Sequence, residues 1–504
     1  MPDRSPDHVD VLVIGAGISG IGMACHLERE CPDRTYAVLE RRQAIGGTWD
    51  LFRYPGIRSD SDMMTFAYGF RPWTSPRILA DGESIRNYLR ETAAEYGVTD
   101  KIRFGTKVVS ADFSHATGVW TVETLDEATG ERGQTTAGFV VAGTGYYNYD
   151  EGYRPEFPGE KDFGGTIVHP QHWPEDLDYR GKKVVIIGSG ATAVTLVPAM
   201  ADDAAHVTML QRSPTYIMSL PVVDQLTAVL QKVLPDTLVY KTTRARNIAV
   251  QRGLYALAKT RPGVMKAIVR KGVESQLKGA SDMKNFTPEY EPWDQRLCFV
   301  PSGDLFRTIR SGKADVVTAK IDTFTPTGIK LENGDELEAD IVVSATGLTV
   351  QLLGGASMTV DGQPVPITES VLYKGVMLEG VPNAAIVLGY INASWTLKAD
   401  IASTYVCRLL NHMASRDVDQ VEVHAQPSDR DTSSAMSSLN AGYVRRGEKF
   451  LPRQGTHGVW KITNNFLRDA PLLRYGAIDD GLLEFAKTAD APAARAEGSE
   501  RATA

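Results

Sequence analysis

Residues 9–20 read Val-Asp-Val-Leu-Val-Ile-Gly15-Ala-Gly17-Ile-Ser-Gly20. An apolar run breaks into GxGxxG, and a helical stretch follows to Glu30. A second apolar run, Tyr-Ala-Val-Leu-Glu, ends on Glu40, 25 residues after Gly15. Strand, glycine turn, helix and strand make one βαβ unit. GxGxxG alone is a weak signal. Directly after a strand, opening a helix, and with an acid closing the next strand, it is a dinucleotide fingerprint. Gly15, Gly17 and Gly20 let the backbone turn tightly and approach a pyrophosphate. That anion sits where the free N–H groups and dipole of the helix favour negative charge. Glu40 is placed to accept hydrogen bonds from ribose hydroxyls, which suits FAD or NAD and repels a 2′-phosphate.

The pattern recurs at 182–194, Lys-Lys-Val-Val-Ile-Ile-Gly188-Ser189-Gly190-Ala191-Thr192-Ala193-Val194, as GxGxxA. Its second strand ends in Gln211-Arg212-Ser213, with no acid at that point. Arg212, with Ser213 beside it, is placed to meet a 2′-phosphate, which argues NADP(H) over NAD(H); a plain surface charge is the bland alternative. Gly15 and Gly188 lie 173 residues apart, too far for a short repeat array. Two separate nucleotide-binding domains follow, with FAD in the first and NADPH in the second.

The rest of the composition fits such an enzyme. The 504 residues are 42% hydrophobic and 23% charged, ordinary globular values that exclude a fibrous or wholly disordered chain. With 54 basic against 62 acidic residues, the net charge of -8 does not suggest a nucleic-acid binder. Four cysteines make neither a disulfide framework nor a CxxC pair. No secretory h-region and no run of ~18 apolar residues is present. The expectation is a cytoplasmic protein.

The predicted fold is α/β, with two Rossmann-like domains and a helical insertion. Residues 101–142 read as strands and 82–96 as a helix. The FAD-binding domain is expected in 1–148 and 351–487, and the NADPH-binding domain in 149–221 and 290–350. The insertion occupies 222–289, and a disordered tail 488–504. Within 222–278, eleven basic residues stand against three acidic ones. A solvated basic face is the bland reading; contact with a membrane surface or anionic partner is the sharper one.

Two further motifs narrow the chemistry. Gly47-Thr48-Trp49, Tyr54-Pro55-Gly56 and Asp60 resemble the GxWxxxxYPGxxxD segment of Baeyer–Villiger monooxygenases. Phe163, Gly165, His169, Trp173 and Pro174 match that family's FxGxxxHxxxWP fingerprint at every specified position. The resemblance runs from Val9 to about Lys487. Segments such as YPGIRSDSDM and NASWTLKAD are most similar to the actinobacterial ethionamide-activating branch.

The resemblance implies a reaction. NADPH reduces FAD, and O2 adds to give a C4a-peroxyflavin. That species inserts one oxygen atom next to a ketone carbonyl, giving an ester or lactone. Oxygenation of thioether or thioamide sulfur is the usual side capacity. It also implies site residues. Arg296, in Trp293-Asp-Gln-Arg296, would stabilise developing negative charge, and Asp60 would pair with it. Thr48 and Trp49 fall at the flavin, though core packing also accounts for Trp49. Many relatives carry a lysine where Gln295 stands, so 2′-phosphate recognition would rest on Arg212 and its neighbours. His169 and Trp173 are read as coupling domain motion to cofactor binding. The HxxH pair His169 and His172 lacks a third ligand, so no metal is expected. A helix starting near Ser394 and Thr396 would have its N–H groups capped by these hydroxyls and its positive end toward the flavin.

Three other readings compete with this one. A nitrogen- or sulfur-directed flavin monooxygenase is disfavoured by Trp173. A flavin disulfide reductase lacks its cysteine pair. A non-enzymatic flavoprotein bound to membranes or partners leaves the paired fingerprints unexplained.

Overall fold

The structure, a computed structural model, describes residues 7–295 and 297–488. In the first sheet, strand Asp7–Ile14 lies parallel to both Tyr36–Leu39 and Arg132–Ala142, with Val13 opposite Val38 and Val141. Val11, Leu12 and Val13 are fully buried. Both faces of the strand are covered from Val11 on, which is why 11–14 reads as an unbroken apolar run. Arg132–Ala142 is long enough to serve two neighbours. Its first half pairs antiparallel with Val119–Asp126, and its end pairs parallel with Ala384–Ile386. The sheet is therefore completed by chain that returns from far downstream.

The second sheet has five parallel strands in the order Ala314–Thr318, His206–Gln211, Lys183–Ile187, Ile341–Ser344 and Thr166–Val168. Ile186, Val342 and Val343 are fully buried at its centre. The α/β expectation is met, and the predicted helix over 82–96 is Gly82–Glu95, capped by the Asp81 side chain on Ser84 N–H.

Residues 222–278 are helical, as Gln225–Leu230, Asp236–Thr260 and Pro262–Leu277. The inner face of Asp236–Thr260 is bolted to the short helix Met63–Phe66. Buried Arg244 donates to the carbonyls of Met64, Thr65 and Ala67 at 2.9, 3.1 and 2.7 Å. Asn247 donates to Asp62 Oδ1 at 2.9 Å, and Gln251 donates to Asp62 Oδ2. Among the described residues, no helix is long and apolar enough to cross a membrane.

The helix Trp395–Ser415 joins the returning chain to the first glycine-loop helix, Ile18–Glu30. Between them His26 Nε2 lies 2.9 Å from Asp400 Oδ1, and its Nδ1 2.7 Å from Glu30 Oε1. Burial opposes charge on this ring, but the two carboxylates overcome it and raise its pKa to about 9. At the far end, Thr488, assigned above to the tail, is buried and donates its N–H to Asp419 Oδ1 at 2.8 Å. The rest of that tail, 489–504, lies outside the described residues.

Candidate active site

The first glycine loop is built by contacts that only glycine permits. Gly15 has φ +99°, and a Cβ on Gly20 would meet Gly15 O at 1.7 Å. The loop 46–49 closes over it, where a Cβ on Gly47 would lie 2.9 Å from Gly17 Cα. Gly17 caps Ile18–Glu30 with no side-chain hydrogen bond, so the N–H groups of the first turn keep no side-chain partner. Glu40 is buried just past the second strand. Its oxygens accept Ala16 N–H at 2.6 Å and Arg42 N–H at 2.7 Å. Burial pushes the carboxyl pKa up, and these two N–H groups oppose it. A carboxylate has about four lone-pair sites, so two accepted bonds leave room for hydroxyl donors.

Thr48 and Trp49 begin the turn Thr48–Leu51. Thr48 Oγ1 lies 3.2 Å from Tyr149 OH, and Trp49 packs edge-on to Phe66 at 5.8 Å, half-buried against the core. Buried Asp50 fixes this turn through Arg42 Nε at 2.9 Å and Arg53 Nη2 at 2.6 Å.

The second loop repeats the design with more open space. Gly188 has φ +139°, and a Cβ there would lie 2.4 Å from Ala345 O, whereas one on Gly190 meets nothing within 4 Å. Gly190 caps Ala191–Met200, again without a side-chain bond. Ala191 and Thr192 are half-buried at the start of that helix. Ser189 Oγ is tied to Ser213 O at 3.1 Å and Thr215 Oγ1 at 2.9 Å. Arg212 and Ser213 are exposed beside it.

The segment 54–62 presses the two units together. Gly56, at φ +74°, sits where a Cβ would be 2.7 Å from Ala199 Cβ on the second loop's helix. Arg58 Nη1 reaches Asp304 Oδ2 at 2.6 Å. Asp60 is half-buried two residues on. Burial pushes the Tyr54 phenol up to about 12, with Thr192 and the charges of Asp60 and Arg58 close enough to act on it. Arg296 lies outside the described residues. Its neighbours are anchored: Trp293 has φ +65°, Lys259 Nζ pairs with Asp294 at 2.7 Å, and Asn440 N–H donates to Asp294 O at 2.7 Å. A positive φ on tryptophan costs of order 1–3 kcal/mol, held by these anchors.

One expectation is corrected. Neither Ser394 nor Thr396 caps the helix Trp395–Ser415. The Ser394 hydroxyl shares a 2.5 Å hydrogen bond with Thr65 Oγ1, and Thr396 Oγ1 donates to Phe66 O at 2.7 Å. Both hydroxyls are drawn into the tether of 62–66, leaving the helix start without side-chain caps.

His169 Nε2 lies 3.3 Å from Gly347 O, and His172 Nε2 2.9 Å from Asp150 O. Burial lowers the His169 pKa, which favours the neutral ring, while the Gly347 carbonyl opposes the shift. Among the described residues no group of three His, Cys, Asp or Glu is placed to hold a metal.

Sequence reasoning missed Arg446. Its guanidinium lies over the Tyr153 ring at 3.4 Å, and its Nη2 is 3.4 Å from where a Cβ on Gly347 would stand. Gly347 follows Ala345, which touches Gly188, so Arg446 belongs to the second loop's surroundings. In sequence it is one of a pair of arginines 234 residues after Arg212, with no motif to mark it.

The flavin-binding monooxygenase-like (FMO-like) family pattern matches residues 8–413. The chain is 54% identical to the probable FAD-binding monooxygenase AlmA of Acinetobacter baylyi, over 96% of this chain and 97% of that one. It is 53% identical to the FAD-containing monooxygenase EthA of Mycobacterium tuberculosis, over 95% and 98%. Its fold is similar to that of an oxidized steroid monooxygenase bound to NADP, with TM-score 0.73 and 22% identity over 95% of this chain and all of that one. Cyclohexanone monooxygenase from Rhodococcus sp. Phi1, bound to NADP+, gives TM-score 0.73 at 20% identity over 96% of this chain and all of that one. Paired glycine loops, full-length likeness and the family match agree: the chain belongs to the flavin-binding monooxygenase-like family.

Proposed function

We propose that the protein uses FAD, NADPH and O2 to insert one oxygen atom next to a ketone carbonyl, giving an ester or lactone. Oxygenation of thioether or thioamide sulfur is its second capacity. The observation that carries this reading is the segment 54–62. It holds Tyr54, Pro55, Gly56 and Asp60 of the Baeyer–Villiger resemblance, and it is also where the two glycine-loop units touch, Gly56 against Ala199.

The first loop fits FAD. Gly15, Gly17 and Gly20 clear the approach for a pyrophosphate at uncapped N–H groups. Glu40 takes the ribose, and Thr48 and Trp49 close the turn beside it. The second loop fits NADPH. Gly188, Ser189, Gly190, Ala191 and Thr192 would form the cradle, and Arg212, Ser213 and Arg446 would hold the 2′-phosphate. When bound and reduced, FAD supplies the activation of oxygen. Arg296 would offer a cation for the negative charge that develops during transfer, with Asp60 as the acid expected to pair with it.

An open cleft between the inserted helix and the start of Trp395–Ser415 suits the substrate. Ile248, Tyr255, Leu397 and Phe466 line it with apolar surface. Asn392 adds a buried Oδ1 that has no hydrogen-bond partner among the described residues. The test is product identification by mass spectrometry, with FAD-loaded protein, NADPH, O2, and a linear ketone, an aryl ketone and a thioether in turn. Ester from either ketone supports the reading. Sulfoxide without ester moves the assignment to heteroatom oxygenation.

A further inference from the structure

The outer face of the helical insertion carries side chains that a purely water-facing surface does not explain. Among the described residues thirteen large hydrophobic side chains are exposed, and nine of them fall within 222–268. Leu226, Val229, Val233, Leu234 and Leu238 occur within thirteen consecutive residues, and Val233 is 74% exposed. Apolar exposure concentrated in this way marks an interaction site.

The charge on this face selects the partner. Lys232 and Lys241 stand exposed within and beside the row, and neither is paired with a carboxylate among the described residues. Of the three acids in 222–278, Asp224 is already paired with Arg246, leaving Asp236 and Glu274 against a large basic excess. A second copy meeting this face symmetrically would set lysine against lysine. A nucleic acid has no use for an apolar row. Apolar side chains bordered by unpaired lysines suit an anionic lipid surface.

We propose that this face docks on an anionic bilayer surface. The row 226–238 enters the headgroup boundary, and Lys232 and Lys241 meet lipid phosphates. The helix Asp236–Thr260 serves two surfaces: its first turn carries Leu238, the end of the row, while Ile248 and Tyr255 line the open cleft. Docking and substrate entry therefore share one element. The proposal stands apart from the reaction, because lipid contact needs no cofactor.

The experiment is vesicle flotation of the full chain, with phosphatidylglycerol or phosphatidylcholine vesicles at low and high salt. The protein should float with the anionic vesicles, not with the neutral ones, and high salt should release it. Lys232→Gln and Lys241→Gln should each weaken binding by about fivefold. The double variant Val233→Asp/Leu238→Asp should abolish it with thermal unfolding unchanged, since both sites are exposed. Absence of flotation overturns the proposal, as does binding that the double variant retains. A concentration-dependent dimer lost in the double variant, without lipid binding, assigns the face to a second copy instead.

Discussion

The Glu40 carboxylate meets the main-chain N–H of Ala16 at 2.6 Å. The acid that follows the second strand thus also braces the first glycine loop. Glu40→Ala removes this brace together with the ribose acceptor. A hydrogen bond to a charged group contributes roughly 1.5–3 kcal/mol, so FAD affinity should fall by about 10- to 100-fold. Titration of apo-protein, followed by flavin fluorescence, checks this. Unchanged affinity would remove Glu40 from the cofactor site.

The contact of Gly56 with Ala199 gives a second prediction. Gly56→Ala places a Cβ 2.7 Å from that methyl group at φ +74°. Strain of about 1–3 kcal/mol is expected from the backbone alone. Thermal unfolding should fall accordingly, and NADPH should reduce the bound flavin more slowly, because the docking of the two units is disturbed. Rapid-mixing absorbance measures the second effect. Wild-type rates in a destabilised variant would make Gly56 purely structural.

Arg212 and Arg446 should act together on the 2′-phosphate. Arg212→Ala and Arg446→Ala should each raise the KM for NADPH by about tenfold or more and leave that for NADH unchanged, since a charge-assisted bond is lost only with the phosphate. Binding of NADP+ measured by calorimetry should weaken in parallel. Equal effects on both nucleotides would point to general disruption of the loop.

Much of this architecture was legible in the chain because glycine positions carry geometry. Gly15, Gly20 and Gly188 each sit where a Cβ has no room, so fingerprint, strand and helix could be read together. The positions of Glu40 and Arg212 beside the two loops followed from their place after the second strand of each unit. Arg446 did not, because it reaches the second loop from a late segment with no periodic signature. The Arg58–Asp304 pair, joining residues 246 apart, escaped for the same reason. At Ser394 a local rule failed: the hydroxyl that favours an N-cap met Thr65 in the folded chain, and the tertiary partner won.

The buried His26 pair sets a pH dependence. Its pKa is raised from the usual 6.5 to about 9, so the stability it contributes is full below 6.5 and is lost as pH rises through 9. At 1.36 kcal/mol per unit, the loss is about 3 kcal/mol. Thermal unfolding between pH 6 and pH 10 should show a decline in the wild type. In His26→Leu that decline should be missing, with lower stability at pH 6 from Asp400 left with Arg474 at 3.3 Å. The same slope in both proteins would assign the decline to other groups.

Baeyer–Villiger oxygenation is tested most directly by supplying isotope-labelled O2 with NADPH and a ketone and weighing the product. The wild type should form an ester carrying one labelled oxygen atom, and Arg296→Ala should form none. An unlabelled ester, or a labelled ester made equally well by Arg296→Ala, would contradict that reading.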